Sequence, residues 1–222
     1  KGVLMPKQSL ILGHRGLSTK HLENSMEAFR AALAAGMAGF ELDVQPTRDG
    51  VCAVLHDEDL ARTANGSGIL RKLKAAELPL LKNAEPLPRL ADVLELPAKL
   101  INVELKGEPG WQQALATVEA AEALDRVLFS SFEHSEVLQL WAACETARCG
   151  FLWELDEAME LSAEELADLP EALWLHPPLK AVKVTPRLWL PYADRLAIWG
   201  MKTPAEAKDL PFVPAVLIAD GI

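Results

Sequence analysis

His14, Arg15, Glu41, Asp43, His56, Glu104 and Lys106 are the residues whose types and spacing could do chemistry in this chain. Glu41 and Asp43 stand two apart in Gly39–Val44 (GFELDV), so on a strand both project from one face. Glu104 and Lys106 repeat that spacing at the end of Leu100–Leu105 (LINVEL) and just beyond it. Three carboxylates without a Cys pair or a His cluster are hard oxygen donors, suited to one divalent cation, Mg²⁺ or Ca²⁺, rather than Zn²⁺. A phosphodiester resists cleavage because its anion repels nucleophiles and its alkoxide leaves poorly. A cation on a non-bridging oxygen answers the first difficulty. Two imidazoles answer the second, one taking a proton from the attacking oxygen and one giving a proton to the departing oxygen. Arg15 and Lys106 would add fixed positive charge around the phosphate. The plainer reading pairs the acids with Arg15 and Lys106 in a structural salt-bridge network. Two histidines beside three acids favour catalysis over that network.

These residues need a scaffold that gathers them. The chain has 222 residues, half of them hydrophobic, enough for one large core or two small ones. A formal charge of −10 argues against a general nucleic-acid partner, which needs basic surface, but not against a small phosphate ligand in a cleft of reversed sign. No apolar run is long enough to span a membrane. Nor does the opening KGVLMPKQSLILGHRG resemble a signal peptide, although Lys1 to Leu4 could be a remnant of processing. Cys52, Cys144 and Cys149 form no C-x-x-C pair and read as reduced thiols, which places the chain in a reducing cytoplasm.

Eight apolar runs read as buried strands: Ser9–Gly13, Gly39–Val44, Leu100–Leu105, Val127–Ser131, Cys149–Trp153, Ala172–His176, Leu196–Trp199 and Ala215–Ala219. Helical patterns lie between several of them, at Asn24–Ala35, Leu90–Leu96, Trp111–Ala123, Ser135–Ala143, Ala163–Leu169 and Pro204–Leu210. Asn24 is expected to cap the first, with Glu27 completing a capping box. The link from Val44 to Val51 is too short for a parallel crossover, so Val51–Leu55 should return antiparallel about Asp49-Gly50 and bring His56 beside Asp43 and Glu41. From Asp57 to Leu87 the pattern weakens into turns, as in a small insertion. Eight strand–helix units in one chain predict a single (β/α)₈ TIM barrel over 1–222, with the insertion at 57–87 after the second barrel strand. An open doubly wound sheet is the rival. The sequence ends at Ile222, just past the eighth strand, so no full closing helix is expected.

In a barrel, functional groups collect at the C-terminal ends of strands. Those ends read His14-Arg15, Glu41 and Asp43, Glu104 and Lys106, Ser130-Ser131, Glu154, His176 and Trp199. The polar residues therefore converge on one rim. His176 could line the cleft there, and Trp199 and Phe132 could pack against a ligand or against the core. His21 is expected at the surface and His134 near a helix cap.

The string His14-Arg15-Gly16, Glu23-Asn24-Ser25, Glu41-x-Asp43-Val44, Thr47-x-Asp49-Gly50 and His56-Asp57 with Leu60, Arg62 and Thr63 resembles the glycerophosphodiester phosphodiesterase family. Glu104-Leu105-Lys106, Ser130-Ser131-Phe132, Trp199 and Asp220-Gly221 continue the likeness in order along nearly the whole chain. The resemblance implies a TIM barrel with a small insertion, with Glu41, Asp43 and Glu104 on a metal, His14 and His56 as the acid/base pair, and Arg15 and Lys106 on phosphate. It implies cleavage of a glycerophosphodiester to glycerol 3-phosphate and an alcohol. Leu22, Ser25, Gly200-Met201-Lys202 and Ala219 depart from the family pattern. The last two sites lie near the glycerol or alcohol end, so they bear on substrate choice. Lysophospholipid or other lipid phosphodiester cleavage is an alternative, with Leu78, Leu80, Leu81 and Leu87 as a possible apolar mouth. A phosphate-binding barrel without turnover is another, although binding alone needs no acid or base. Oligomeric state is not legible.

Overall fold

The computed structural model describes residues 8–107 and 110–222. Lys1 to Leu4 lie outside the described residues. Nine strands form one sheet: β1 (Leu10–Gly13), β2 (Gly39–Pro46), β3 (Cys52–Val54), β4 (Leu100–Leu105), β5 (Val127–Ser131), β6 (Arg148–Leu152), β7 (Trp174–His176), β8 (Ala197–Met201) and β9 (Val216–Ala219). Eight of them run parallel in the order β7-β6-β5-β4-β2-β1-β9-β8. Bridges Leu175–Leu196 and Pro178–Trp199 join the two ends, so the sheet is a nearly closed barrel and not an open doubly wound sheet. Strands covered on both faces must be apolar along their length, which is why they read as short continuous runs.

Helices α1 (Met26–Ala34), α2 (Leu90–Leu94), α3 (Trp111–Ala120), α4 (His134–Ala143), α5 (Leu155–Glu160), α6 (Ala163–Ala167), α7 (Leu179–Val184) and α8 (Pro186–Trp189) pack outside. The main core lies between them and the barrel, with Phe29 tilted on Phe40 at 4.5 Å. A second cluster, Leu12, Leu100, Leu128, Ala197, Val216 and Ile218, fills the barrel interior. The sequence pattern did not show α5, α7 and α8, which are short. Pro204–Ala207 is a 3-10 turn rather than a helix to Leu210, tightened by Glu206 accepting from the backbone N–H of Lys202 and Thr203.

Ser25, not Asn24, caps α1: its Oγ accepts the Ala28 N–H at 3.0 Å. Asn24 instead sits at φ +55°, which turns its amide inward to donate to Asp43 at 2.8 Å. The antiparallel return is present, with Val44 opposite Val54 and Pro46 opposite Cys52. Leu55 N–H then donates to the Asp43 carbonyl at 3.0 Å, which sets His56 at the edge of the acid cluster. Beyond it, residues 57–87 fold as 3-10 turns at Leu60–Arg62, Leu70–Lys72 and Ala75–Glu77. These turns bury Leu60, Leu70, Leu81 and Leu87 against Ala53 and Leu55. The insertion's leucines therefore build a small core of their own. Only Leu80 among the four expected at an apolar mouth is strongly exposed.

Candidate active site

Strand register aligns the acids before any side chain is considered. Glu41 on β2 stands opposite Asn102 on β4, and Asp43 opposite Glu104. The three carboxylates can each offer an oxygen within 4.8 Å of the others, and all three are buried. Burial, then repulsion from Asp43, pushes the Glu41 carboxyl up to about 7. The same two causes push Glu104 up to about 8 against the pull of Lys106.

Two cations answer the acids. Lys106 Nζ lies 2.5 Å from Glu104 Oε1 and 3.5 Å from Asp43 Oδ1. Arg15 Nε lies 3.2 Å from Asp43 Oδ2, and its guanidinium donates to Glu23 at 2.7 Å. Burial works against both cations, but the carboxylates outweigh it and raise their pKa values. Arg15 and Gly16 leave β1 with φ +55° and +85°, a turn that aims the Arg15 N–H at Glu41 Oε2, 2.9 Å away. A Cβ on Gly16 would come within 2.6 Å of the Ala28 carbonyl carbon, so only glycine fits against α1. Two cations against three carboxylates leave the cluster one positive charge short of neutrality. Glu41 Oε1 and Asp43 Oδ1 accept no hydrogen bond. A divalent ion fits those hard oxygen donors and would turn the deficit of one into an excess of one, which suits an anionic phosphate.

Each histidine carries an aspartate behind it. His14 Nδ1 donates to Asp220 Oδ1 at 2.7 Å, leaving Nε2 toward the acids, 4.0 Å from Glu41 Oε2. Burial opposes the imidazolium, but the Asp220 hydrogen bond and the Glu41 charge prevail and raise its pKa. His56 Nδ1 donates to Asp57 Oδ1 at 2.7 Å. Asp57 is held in turn by Arg62, whose guanidinium also grips Glu23 at 2.7 and 2.8 Å. Burial would raise Glu23, but Arg62 and Arg15 bring it down to about 2. Gln45 Nε2 donates to the carbonyls of Leu55, His56 and Asp57 at 2.9, 3.1 and 2.8 Å, which fixes the turn that presents His56.

A cavity of about 270 Å³ opens at the C-terminal rim. His14, Arg15, Glu41, His56, Glu104 and Lys106 line one side of it. Phe132, Leu152, Glu154, Trp199 and Ile218 line the rest, over a floor of Asn102 and Ser130. Asp43 lies just beneath, fully buried. His176 does not line the cavity: its ring is wholly buried, neither nitrogen has a hydrogen-bond partner among the described residues, and burial pushes its pKa down to about 3. It is on the barrel's inner face with Trp174, but its ring packs against Gly150 of β6, where a Cβ would collide with Nε2, and this covers it from the cleft. Its backbone carbonyl does serve the site, accepting from Trp199 Nε1 at 2.9 Å and so fixing the indole.

Roles for Asp220, Gln45, Asn24 and Arg62 were not legible in the sequence. Asp220 had a usable signal, a lone acid directly after the last apolar strand. His21 pairs with Glu27 at 3.1 Å, and His134 stacks on Phe151 at 4.2 Å, both away from the cavity.

A sequence model of the glycerophosphoryl diester phosphodiesterase family matches residues 14–188. A glycerophosphodiester phosphodiesterase of Bacillus altitudinis is 39% identical over 145 residues, covering 57% of this chain and 59% of that one. Another, from Caldanaerobacter subterraneus subsp. tengcongensis, is 32% identical over 164 residues, covering 66% and 68%. A glycerophosphodiester phosphodiesterase structure from Thermotoga maritima aligns with a TM-score of 0.77 at 27% identity, over 97% of this chain and 96% of that one. An Oleispira antarctica phosphodiesterase, solved with the product sn-glycerol-3-phosphate, shares the fold with a TM-score of 0.77 at 22% identity, over 96% and 93%.

Proposed function

The chain belongs to the glycerophosphoryl diester phosphodiesterase family, and from that premise we propose that it hydrolyses glycerophosphodiesters to glycerol 3-phosphate and an alcohol. One observation carries the reading: two aspartate-backed imidazoles face one cavity together with Glu41 and Glu104 of a three-carboxylate cluster, whose third member, Asp43, lies beneath it. Glu41, Asp43 and Glu104 would hold one divalent cation, Mg²⁺ or Ca²⁺. When bound, it supplies Lewis-acid charge against the phosphate's non-bridging oxygens. Arg15 and Lys106, already at the cluster's edge, orient the phosphate and offset its charge. Of His14 and His56, one removes the proton of the attacking oxygen and the other protonates the departing alkoxide. The Nδ1–aspartate bonds leave Nε2 of each ring as the atom for that transfer. The nucleophile is water or the glycerol 2-hydroxyl, the latter passing through a cyclic phosphate. Trp199, its indole fixed by the His176 carbonyl, forms the wall beside the organic part of the substrate.

Among the described residues no helix is long and apolar enough to cross a membrane. The three free cysteines support the reducing cytoplasm expected from the sequence. The deacylated substrate is favoured over a lysophospholipid because Leu81 and Leu87 are buried in the insertion's own cluster. A panel of glycerophosphodiesters, assayed for glycerol 3-phosphate with EDTA and metal add-back, tests the reading. Release that stops with EDTA and returns with Mg²⁺ or Ca²⁺ is expected. No release from any ester would sink it, and a fully active His56→Ala variant would remove that residue's role.

A further inference from the structure

The cavity is uneven in charge, and its two ends are built from different parts of the chain. Arg15 and Lys106 both pair with Asp43, and Lys106 Nζ also lies over the Phe132 ring, 5.7 Å from its centre. Beyond Phe132 the wall is Trp199 and the exposed carboxylate of Glu154, which have no Lys or Arg contact among the described residues. Phe132 and Trp199 meet edge to face at 5.9 Å, an arrangement that leaves aromatic surface turned to the cavity.

Phe132 also lines a second, open groove beside the first, together with Trp153, His134, Glu157, Glu160 and Glu165. The groove therefore adjoins the cavity across Phe132, and no Lys or Arg among the described residues lines it. The reason is in the sequence. From Cys149 to Leu179 the chain has eight Asp or Glu and not one Lys or Arg, against a formal charge of −10 for all 222 residues. Most of the protein's excess negative charge is thus carried by the segment that borders this side of the catalytic cavity.

Such a wall repels an anionic ligand and rejects none of a cation's requirements. Aromatic faces attract ammonium groups through their quadrupole, and a nearby carboxylate adds to the attraction. Resting on the hydrolase reading above, we propose that the wall of Trp199 and Glu154 selects glycerophosphodiesters whose departing alcohol carries a cationic ammonium group. Such a substrate is a zwitterion. Its phosphate meets Arg15 and Lys106 while its ammonium meets the aromatic and acidic wall, so each charge faces its complement. Esters of neutral or anionic alcohols satisfy only the first half.

The test compares two esters of nearly equal shape, glycerophosphocholine and its neutral 3,3-dimethylbutyl isostere, in the metal-loaded enzyme at low salt. The wild type is expected to show a kcat/KM ratio of about ten in favour of choline, the scale of one desolvated cation–aromatic contact. Glu154→Gln and Trp199→Leu should each bring that ratio toward one, and added salt should weaken the Glu154 share. Because the readout is a ratio within one enzyme, a general loss of activity or folding in a variant does not mimic it. A wild-type ratio at or below one, or a ratio unchanged in both variants, overturns the proposal while leaving the hydrolase intact. No turnover of either ester by protein that releases glycerol 3-phosphate from another ester also overturns the proposal, whereas no release from any ester, with or without metal, overturns the hydrolase reading itself.

Discussion

The two histidine–aspartate pairs face the same cavity and are made in opposite ways. His14 and Asp220 come from the ends of β1 and β9, 206 residues apart, brought together because those strands pair in parallel with Gly13 beside Ala219. His56 and Asp57 are neighbours in sequence, and the hairpin and insertion around them do the holding through Gln45 and Arg62. The electrostatics differ as well. Asp220 forms its ion pair with His14 alone among the described residues, whereas Asp57 shares its charge with Arg62. Arg62 thus shares the Asp57 carboxylate, which anchors the His56 ring through its Nδ1. Asp220 and Glu41 together favour a protonated His14. The comparison thus points to His14 as the proton donor and His56 as the base.

The largest effects separate those roles. Replacing either histidine with alanine should lower kcat by about 10²–10⁴-fold on a choline or ethanolamine ester. With a p-nitrophenyl leaving group, which departs without a proton, His14→Ala should recover most of that loss and His56→Ala should not. Recovery in the His56 variant instead would reverse the assignment.

A smaller effect comes from the aspartates. A hydrogen bond to a charged group is worth ~1.5–3 kcal/mol, so Asp220→Asn should cost about ten- to a hundredfold in kcat. Asp220 raises the His14 pKa, so its removal should also move the His14 limb of the pH–rate profile to lower pH. Asp57→Asn should cost less, because Arg62 keeps both bonds to Glu23. A limb that stays in place in Asp220→Asn would show that the barrel seam merely positions His14.

Stability should divide along the same line. Glu23, bound by both arginines, has its folded pKa lowered to about 2 from 4.5. It stabilises the fold above the unfolded value, and that support is lost as pH falls from 4.5 toward 2. Glu41 and Glu104 are raised to about 7 and about 8, so the folded state binds their protons more tightly than the unfolded chain does. Metal-free protein should therefore lose stability as pH rises from 4.5 through 8. In EDTA, Tm should fall by several degrees between about pH 5.5 and about pH 8, at roughly 2–4 °C per kcal/mol. Mg²⁺ or Ca²⁺ should remove that slope. A flat Tm in EDTA would mean that the carboxylates are balanced without an ion.

How much the sequence disclosed follows from the same contrast. Strand spacing placed Glu41 with Asp43, and turn length placed His56 beside them, because both are short-range consequences of backbone geometry. The barrel was legible because each buried strand leaves its own apolar run. The partner of His14 was not, since nothing local to either residue records that β1 and β9 are neighbours. Asn24 looked like a cap because its type suits one; its positive φ, which hands the cap to Ser25 and the amide to Asp43, is a tertiary result. His176 was misplaced for a related reason. Being at a strand end does not say whether a ring opens to the cleft or packs against the next strand, as this one does on Gly150.

The smallest expected effect on turnover tests whether the insertion matters to the second pair beyond holding Arg62. Leu70 is fully buried in the insertion's cluster, which packs under Leu55 next to His56. Leu70→Ala should cost about 2–5 kcal/mol of stability, the usual range for a buried leucine. Measured well below its Tm, the variant should nonetheless keep kcat within a few-fold of wild type, because Gln45, on β2, fixes the His56 turn by three hydrogen bonds. Gln45→Leu, which leaves three carbonyls without that donor, should lower kcat far more. If Leu70→Ala matched Gln45→Leu in lost turnover, the insertion's core rather than the barrel strand would be what positions His56, and the two pairs would depend on separate cores.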